Sequence, residues 1–192
     1  MAQYPDKHFD LAIVDPPYRD KNQPTKDMRK NGGKMDDFGK KPDNAYFQEL
    51  FRVSKNQIIW GANNFQLYGY KGFVIWEKLS ISDTFTMSMA ELAYISEGLG
   101  TTSKIFKYIP QDPLRISPTQ KPVALYKWLL SKYAKQGDKI LDTHFGSGSI
   151  AVACNELGFN LIASEIDQDY FNAACLRVRE ANKQGDLFRE AV

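Results

Sequence analysis

The 192-residue sequence is poor in the residues that usually announce metal or disulfide chemistry, with two cysteines and two histidines. Cys154 and Cys175 fall in apolar helical patterns without metal-ligand spacing. That excludes a disulfide framework or a structural zinc motif, and it fits small core residues in a reducing compartment. His8 and His144 read as incidental rather than as ligands, so no metal is expected. No apolar run approaches the ~18 residues of a membrane span, and the N-terminus lacks the pattern of a signal peptide. The expectation is a cytoplasmic protein with no membrane partner. Charge of one sign is also lacking: the formal net charge is +2, too mild to demand nucleic acid by itself. What is abundant is apolar residues, at 43%, enough for one globular domain over residues 1–192.

The chain is organised around Asp10-Leu11-Ala12-Ile13-Val14-Asp15-Pro16-Pro17-Tyr18. The run Leu11 to Val14 reads as a strand buried on both faces. Two prolines in succession have no N–H to offer a ladder, so the strand must stop there. A carboxylate, two stiff residues with free carbonyls and an aromatic ring are thereby placed just past a strand end. In open α/β sheets that is where ligands bind. Taken alone, the same stretch also suits a purely structural proline turn.

Residues 19–44 interrupt the apolar pattern with eight basic and five acidic side chains, a net +3, and with Gly32-Gly33 and Gly39. Loops of this length are usually functional or disordered. The reading favoured is a mobile lid whose Lys26, Arg29, Lys30 and Lys34 meet phosphates; the alternative is a solvated excursion.

Downstream, the spacing predicts a helix over 45–53 with Asn44 as N-cap, a strand over 57–60, a strand over 72–76, another over 91–95 and one over 104–109. A helix is expected over about 123–135, a strand over 139–142, a helix over about 150–157 stopped by Gly158, a strand over 160–164 and a last helix over about 168–182. Strand, crossover helix and strand recur, so the fold class expected is α/β, a doubly wound Rossmann-like sheet.

Phe145-Gly146-Ser147-Gly148 follows the strand ending at Asp142 and opens a helix. Glycines there let backbone approach a ligand, and a helix N-terminus presents free N–H groups. Glu165, at the end of the next strand, is spaced to accept hydrogen bonds from ribose hydroxyls. The loop is not Gly-x-Gly-x-x-Gly, because Ile150 and Ala151 stand where the third glycine belongs. This makes a nicotinamide-dependent dehydrogenase the weakest reading.

Together these stretches resemble the amino-group DNA methyltransferases, which methylate adenine N6 or cytosine N4. Asp15-Pro16-Pro17-Tyr18 resembles their catalytic tetrapeptide, and the glycine loop is similar to the Phe-x-Gly-Ser-Gly form of their S-adenosylmethionine sites. Trp60-Gly61-Ala62-Asn63, Trp76-Glu77-Lys78, Glu91-Leu92-Ala93-Tyr94 and Ser117-Pro118-Thr119-Gln120-Lys121-Pro122 are further matches, although relatives often have His where this chain has Ser117. The tetrapeptide comes first and the glycine loop last, which resembles the permuted β-class order, with the catalytic half ahead of the cofactor half. The resemblance covers Phe9 to about Tyr170.

It implies S-adenosylmethionine as cofactor, held by Asp142, Phe145, Gly146, Ser147, Gly148, Glu165 and Lys121. It implies direct in-line methyl transfer to a flipped-out base. Asp15 and the Pro16 carbonyl would hold the amine out of conjugation, Pro17 would stiffen the turn, and Tyr18 would stack on the base. The absence of a Pro-Cys pair disfavours carbon-5 methylation. Asp at the head of the tetrapeptide favours adenine N6 over cytosine N4. Methylation of RNA or of a protein amide, and a catalytically silent nucleic-acid-binding relative, remain as other readings.

Many relatives have a further strand ahead of the catalytic one, with an acid for the cofactor adenine. Here adenine contacts are left to backbone or to the stretch near Asp186-Leu187-Phe188. Target recognition falls to residues 19–44 and about 98–117. So small a reader implies a short or relaxed DNA site, or help from a second subunit as a homodimer.

Overall fold

The structure is a computed structural model that describes residues 1–18, 41–69, 71–84, 86–109, 115–117 and 119–189, with side chains described as far as 183. Its frame is one seven-stranded sheet. In chain order the elements are β1 (Phe9–Val14), α1 (Asn44–Val53), β2 (Ser54–Trp60), β3 (Gly72–Lys78), β4 (Ala90–Ile95), β5 (Lys104–Tyr108), α2 (Val123–Tyr133), β6 (Lys139–Asp142), α3 (Ser149–Leu157), β7 (Asn160–Ala163) and α4 (Gln168–Arg189). Across the sheet the strands run β5-β3-β4-β2-β1-β6-β7. β4 lies antiparallel to β2 and β3, and every other pairing is parallel. The expected α/β sheet is therefore present, with a reversed strand inside it that the apolar pattern did not announce.

From Leu11 to Val14, alternation along β1 sends its side chains to two cores. Leu11 and Ile13 join Ile58, Trp60, Leu125, Leu129, Ile150, Ala153 and Ala174 on the face covered by α2, α3 and α4. Phe9, Ala12 and Val14 join Phe47, Leu50, Val53, Ile59 and Leu141 on the face covered by α1. β1 is buried from both sides, which is why its sequence reads as a continuous apolar run.

The topology also fixes where a ligand crevice opens. From β1 the chain crosses through α1 to β2 on one side, and from β6 through α3 to β7 on the other. β1 and β6 themselves pair in parallel, with Leu11 opposite Ile140 and Ala12 opposite Leu141. The strand order thus reverses between them, and their carboxyl ends flank a switch point of the kind that binds ligands in open α/β sheets.

Several boundaries differ from the spacing. The N-cap of α1 is Asp43, not Asn44: its Oδ1 accepts the Tyr46 N–H at 2.9 Å. β2 starts three residues early because Ser54 both ends α1 and enters the sheet. Its hydroxyl donates to the Leu50 carbonyl, and the Gln57 amide donates to its backbone and side-chain oxygens. β3 runs on to Lys78, and α4 continues to Arg189. Lys26, Arg29, Lys30 and Lys34, expected on a phosphate-binding lid, lie outside the described residues, as do 110–114 within the expected recognition stretch 98–117. No helix among the described residues is long and apolar enough to cross a membrane.

Candidate active site

Asp15, Pro16, Pro17 and Tyr18 leave the carboxyl end of β1 as a tight corner. Tyr18 folds back, and its hydroxyl donates to Asp15 Oδ1 at 2.7 Å. The ring lies directly on Gly61, where an added Cβ would stand 2.1 Å from Tyr18 Cε1. It meets Phe65 edge-on at 6.3 Å. Gly61, at the end of β2, has φ +69° and donates its N–H to the Leu92 carbonyl at 2.8 Å. Both the backbone angle and the ring above it exclude a side chain. Burial, then the negative charges of Asp15 and Glu91, push the Tyr18 phenol well above its ordinary range, so it remains a neutral donor.

The second oxygen of Asp15 belongs to Lys121. Its ammonium sits 2.5 Å from Asp15 Oδ2 and 2.9 Å from Glu91 Oε2, and its side chain is 3% exposed. Glu91 Oε1 is in turn 2.6 Å from the Lys78 ammonium. Aromatic faces complete the surroundings, with Lys121 5.1 Å from the Trp60 ring and Lys78 5.0 Å from that of Trp76. Four charges alternate in sign and sum to zero, the arrangement that makes buried charge tolerable. Burial alone would raise the Glu91 carboxyl, but Lys121 and Lys78 outweigh it and hold it at about 2. Burial would likewise lower the Lys121 ammonium, yet Asp15 and Glu91 prevail and raise it.

Lys121, expected among the cofactor residues, has its ammonium against the tetrapeptide. The sequence alone assigns no role to Glu91 or Lys78. Register joins them to the site, since β3 and β4 pair Trp76 with Glu91. Their sequence signal was the coincidence of an acid and two lysines in otherwise apolar strand ends and at a proline-flanked helix start.

At the end of β6 the glycine loop faces the same crevice. Glu165 closes it: Oε2 accepts the Gly146 N–H at 2.7 Å, and Oε1 accepts those of Ile166 at 2.9 Å and Asp167 at 3.1 Å. Gly146 has φ +50°, and a Cβ built there would touch only the His144 carbonyl oxygen, at 3.7 Å, so the space before it is open. Gly148 has φ +71°, with Ala174 Cβ and Phe145 Cζ 3.1 and 3.2 Å from the position of an added Cβ. Arg177 of α4 donates to the Ser147 carbonyl and the Ser149 hydroxyl, both at 2.9 Å, and fixes the loop from below. Phe145, expected at the cofactor, turns into the core with Ile150, Ala153 and Ala174. Aligned on Gly-Ser-Gly, the family's phenylalanine falls on His144, not on Phe145.

Asp142 lies at the base of the loop, 2% exposed, and accepts the His144 N–H at 2.9 Å. Burial pushes its carboxyl up to about 7. The His144 N–H and Lys121 pull the other way, while Asp15 and Glu165 add to the rise. His144 is held below its ordinary value by burial. A hydroxyl chain links the loop to α1: Tyr46 Oη is 2.6 Å from Thr143 Oγ1, which is 3.0 Å from His144 Nδ1. The predicted tetrapeptide and the predicted glycine loop thus occupy adjacent strand ends on one edge of the sheet. Among the described residues no group of three or more His, Cys, Asp or Glu side chains is placed to hold a metal ion.

A family profile described as DNA methylase, of the N6/N4 type, matches residues 71–175, just over half of the chain. YubD of Escherichia coli (strain K12) is 27% identical over 207 residues, which cover 96% of this chain and 89% of its own. The fold is similar to that of the M1.HpyAVI–SAM complex, with a TM-score of 0.62 at 20% identity over 90% of this chain and 89% of the other. It is also similar to that of PvuII DNA methyltransferase, described as cytosine-N4-specific, with a TM-score of 0.63 at 9% identity over 95% and 86% of the two chains.

Proposed function

Because this chain belongs to the N6/N4 family of DNA methylases, we propose that it methylates adenine N6 in DNA with S-adenosylmethionine as methyl donor. The observation that supports this reading is the juxtaposition of two strand ends. Asp15-Pro16-Pro17-Tyr18 leaves β1, the glycine loop leaves β6, and β1 and β6 are neighbours.

The residues present suit such a cofactor. Gly146 leaves open space before the backbone, the first turn of α3 carries N–H groups without intrahelical partners, and Glu165 keeps one acceptor site, on Oε2, for a ribose hydroxyl. Asp142 supplies a further carboxylate at the base of the loop. When bound, S-adenosylmethionine supplies a methyl group activated by its sulfonium.

The chain's own work is to prepare the acceptor. The lone pair of an exocyclic amine is delocalised into the base. Two acceptors fixed on a proline corner, the Asp15 carboxylate and the Pro16 carbonyl, draw its N–H groups out of plane and stabilise the charge that develops on nitrogen. The Tyr18 ring is the surface on which the extruded base stacks, and extrusion costs about a few kcal/mol. Lys26, Arg29, Lys30 and Lys34 supply cations for DNA phosphates. Asp at the head of the tetrapeptide favours adenine over cytosine.

The test is to incubate protein, S-adenosylmethionine and unmethylated DNA, digest, and weigh the nucleosides. N6-methyl-2′-deoxyadenosine is the expected product; N4-methyl-2′-deoxycytidine overturns the choice of base, and no methylated nucleoside overturns the activity.

A further inference from the structure

The two oxygens of Asp15 are held by very different partners. Oδ2 faces Lys121, which is buried and braced from behind by Glu91, Lys78 and the Trp60 ring. Among the described residues, Oδ1 accepts only from the hydroxyl of the half-buried Tyr18. Replacing the Tyr18 hydroxyl by an amine N–H exchanges one hydrogen bond for another and has a small net cost. Displacing Lys121 from Oδ2 strips a buried ammonium of an ion-pair partner, which is far more expensive.

We propose that Lys121 is a positioning residue for the methyl acceptor: its ammonium clamps Asp15 Oδ2 and reserves Oδ1, capped by the Tyr18 hydroxyl in the free protein, as the oxygen that receives the amine. The inference rests on the methyltransferase reading above and adds to it which oxygen binds and what orients it. Glu91 and Lys78 form the outer half of the ladder, holding Lys121 in place and balancing its charge. Lys121 thereby orients Asp15 without touching the base.

Two double variants keep the cluster neutral and so protect folding. Lys121→Met with Glu91→Gln leaves Asp15 and Lys78, and removes the partner of Asp15. Lys78→Met with Glu91→Gln leaves Asp15 and Lys121 paired. Single-turnover methyl transfer and cofactor affinity by calorimetry are measured on both. The first variant should lose about a hundredfold or more in transfer rate with cofactor affinity little changed, as for a misplaced reacting group. The second should lose less than about tenfold. Equal losses in the two, or a first variant that fails only in cofactor binding, overturn the assignment.

A thermal double-mutant cycle over Asp15→Asn and Lys121→Met reads the pair without turnover. Coupled changes are expected, and strictly additive ones overturn the clamp. Coupling in a wild-type protein that transfers no methyl would contradict the enzymatic reading while leaving the pair intact.

Discussion

Gly61 and Tyr18 are in contact so close that no side chain fits between them: a Cβ on Gly61 would lie 2.1 Å from the Tyr18 ring. Gly61 also sits at φ +69°. Gly61→Ala should therefore cost about 1–2 kcal/mol for the left-handed backbone alone and displace the ring besides. The expected result is a lower melting temperature and a higher KM for DNA, with cofactor affinity unchanged. An unaltered KM for DNA would show that the ring's place on Gly61 has no part in binding the base.

Tyr18→Phe separates the ring from its hydroxyl. The stacking surface stays, and Asp15 Oδ1 no longer needs to shed a partner before accepting the amine. Losing that competing bond should lower the KM for DNA by about tenfold or more, the worth of a hydrogen bond to a charged acceptor. A raised KM would mean that the hydroxyl assists the base rather than holding its place.

The two loop glycines should fail in different ways. Gly148→Ala forces a Cβ to within 3.1–3.2 Å of Ala174 and Phe145 and should lower stability outright. Gly146→Ala meets nothing closer than 3.7 Å, so beyond the backbone strain its cost should appear as weaker S-adenosylmethionine binding. Calorimetry and melting curves on the pair test this; equal stability losses with equal affinities contradict it.

Glu165→Ala should weaken S-adenosylmethionine about tenfold to hundredfold, because a charge-assisted bond to ribose is worth about 1.5–3 kcal/mol. It should also lower the melting temperature, since the same carboxylate accepts three backbone N–H groups. A lower melting temperature with an unchanged dissociation constant would leave Glu165 as a loop brace only.

Two buried carboxyls should shape stability in separate pH windows. Asp142 titrates at about 7 in the folded chain against 3.8 ordinarily. Between those values the folded state binds the extra proton, so stability falls as pH rises from about 4 to about 7. Glu91 is held at about 2 against 4.5. Its contribution is present above about 4.5 and lost as pH falls toward 2. Melting temperatures from pH 3 to 8 should show Asp142→Asn flattening the upper slope and Glu91→Gln flattening the lower. Unchanged slopes would mean that neither carboxyl is perturbed as described.

Much of this was legible in the chain. The strand 139–142 and the start of α2 at Val123 fall where spacing puts them, because an apolar run bounded by charge, glycine or proline leaves few choices. The tetrapeptide and the glycine loop were legible because proline and glycine impose backbone geometry locally. What did not show were relationships across distance. Lys121 meets Asp15 across 106 positions of sequence, and only the reversed strand β4 brings Glu91 between Lys121 and Lys78. Nor does spacing reveal that Phe145 faces the core, since a buried ring and a ligand-facing ring share the same pattern.

The central claim is that the corner after β1 prepares an amino group for methylation while the loop after β6 holds the donor. Asp15→Ala, assayed for methyl transfer to DNA and titrated calorimetrically with S-adenosylmethionine, tests it most directly. Transfer abolished with near-normal cofactor affinity is the predicted result. Transfer retained, or lost only together with cofactor binding, would contradict it.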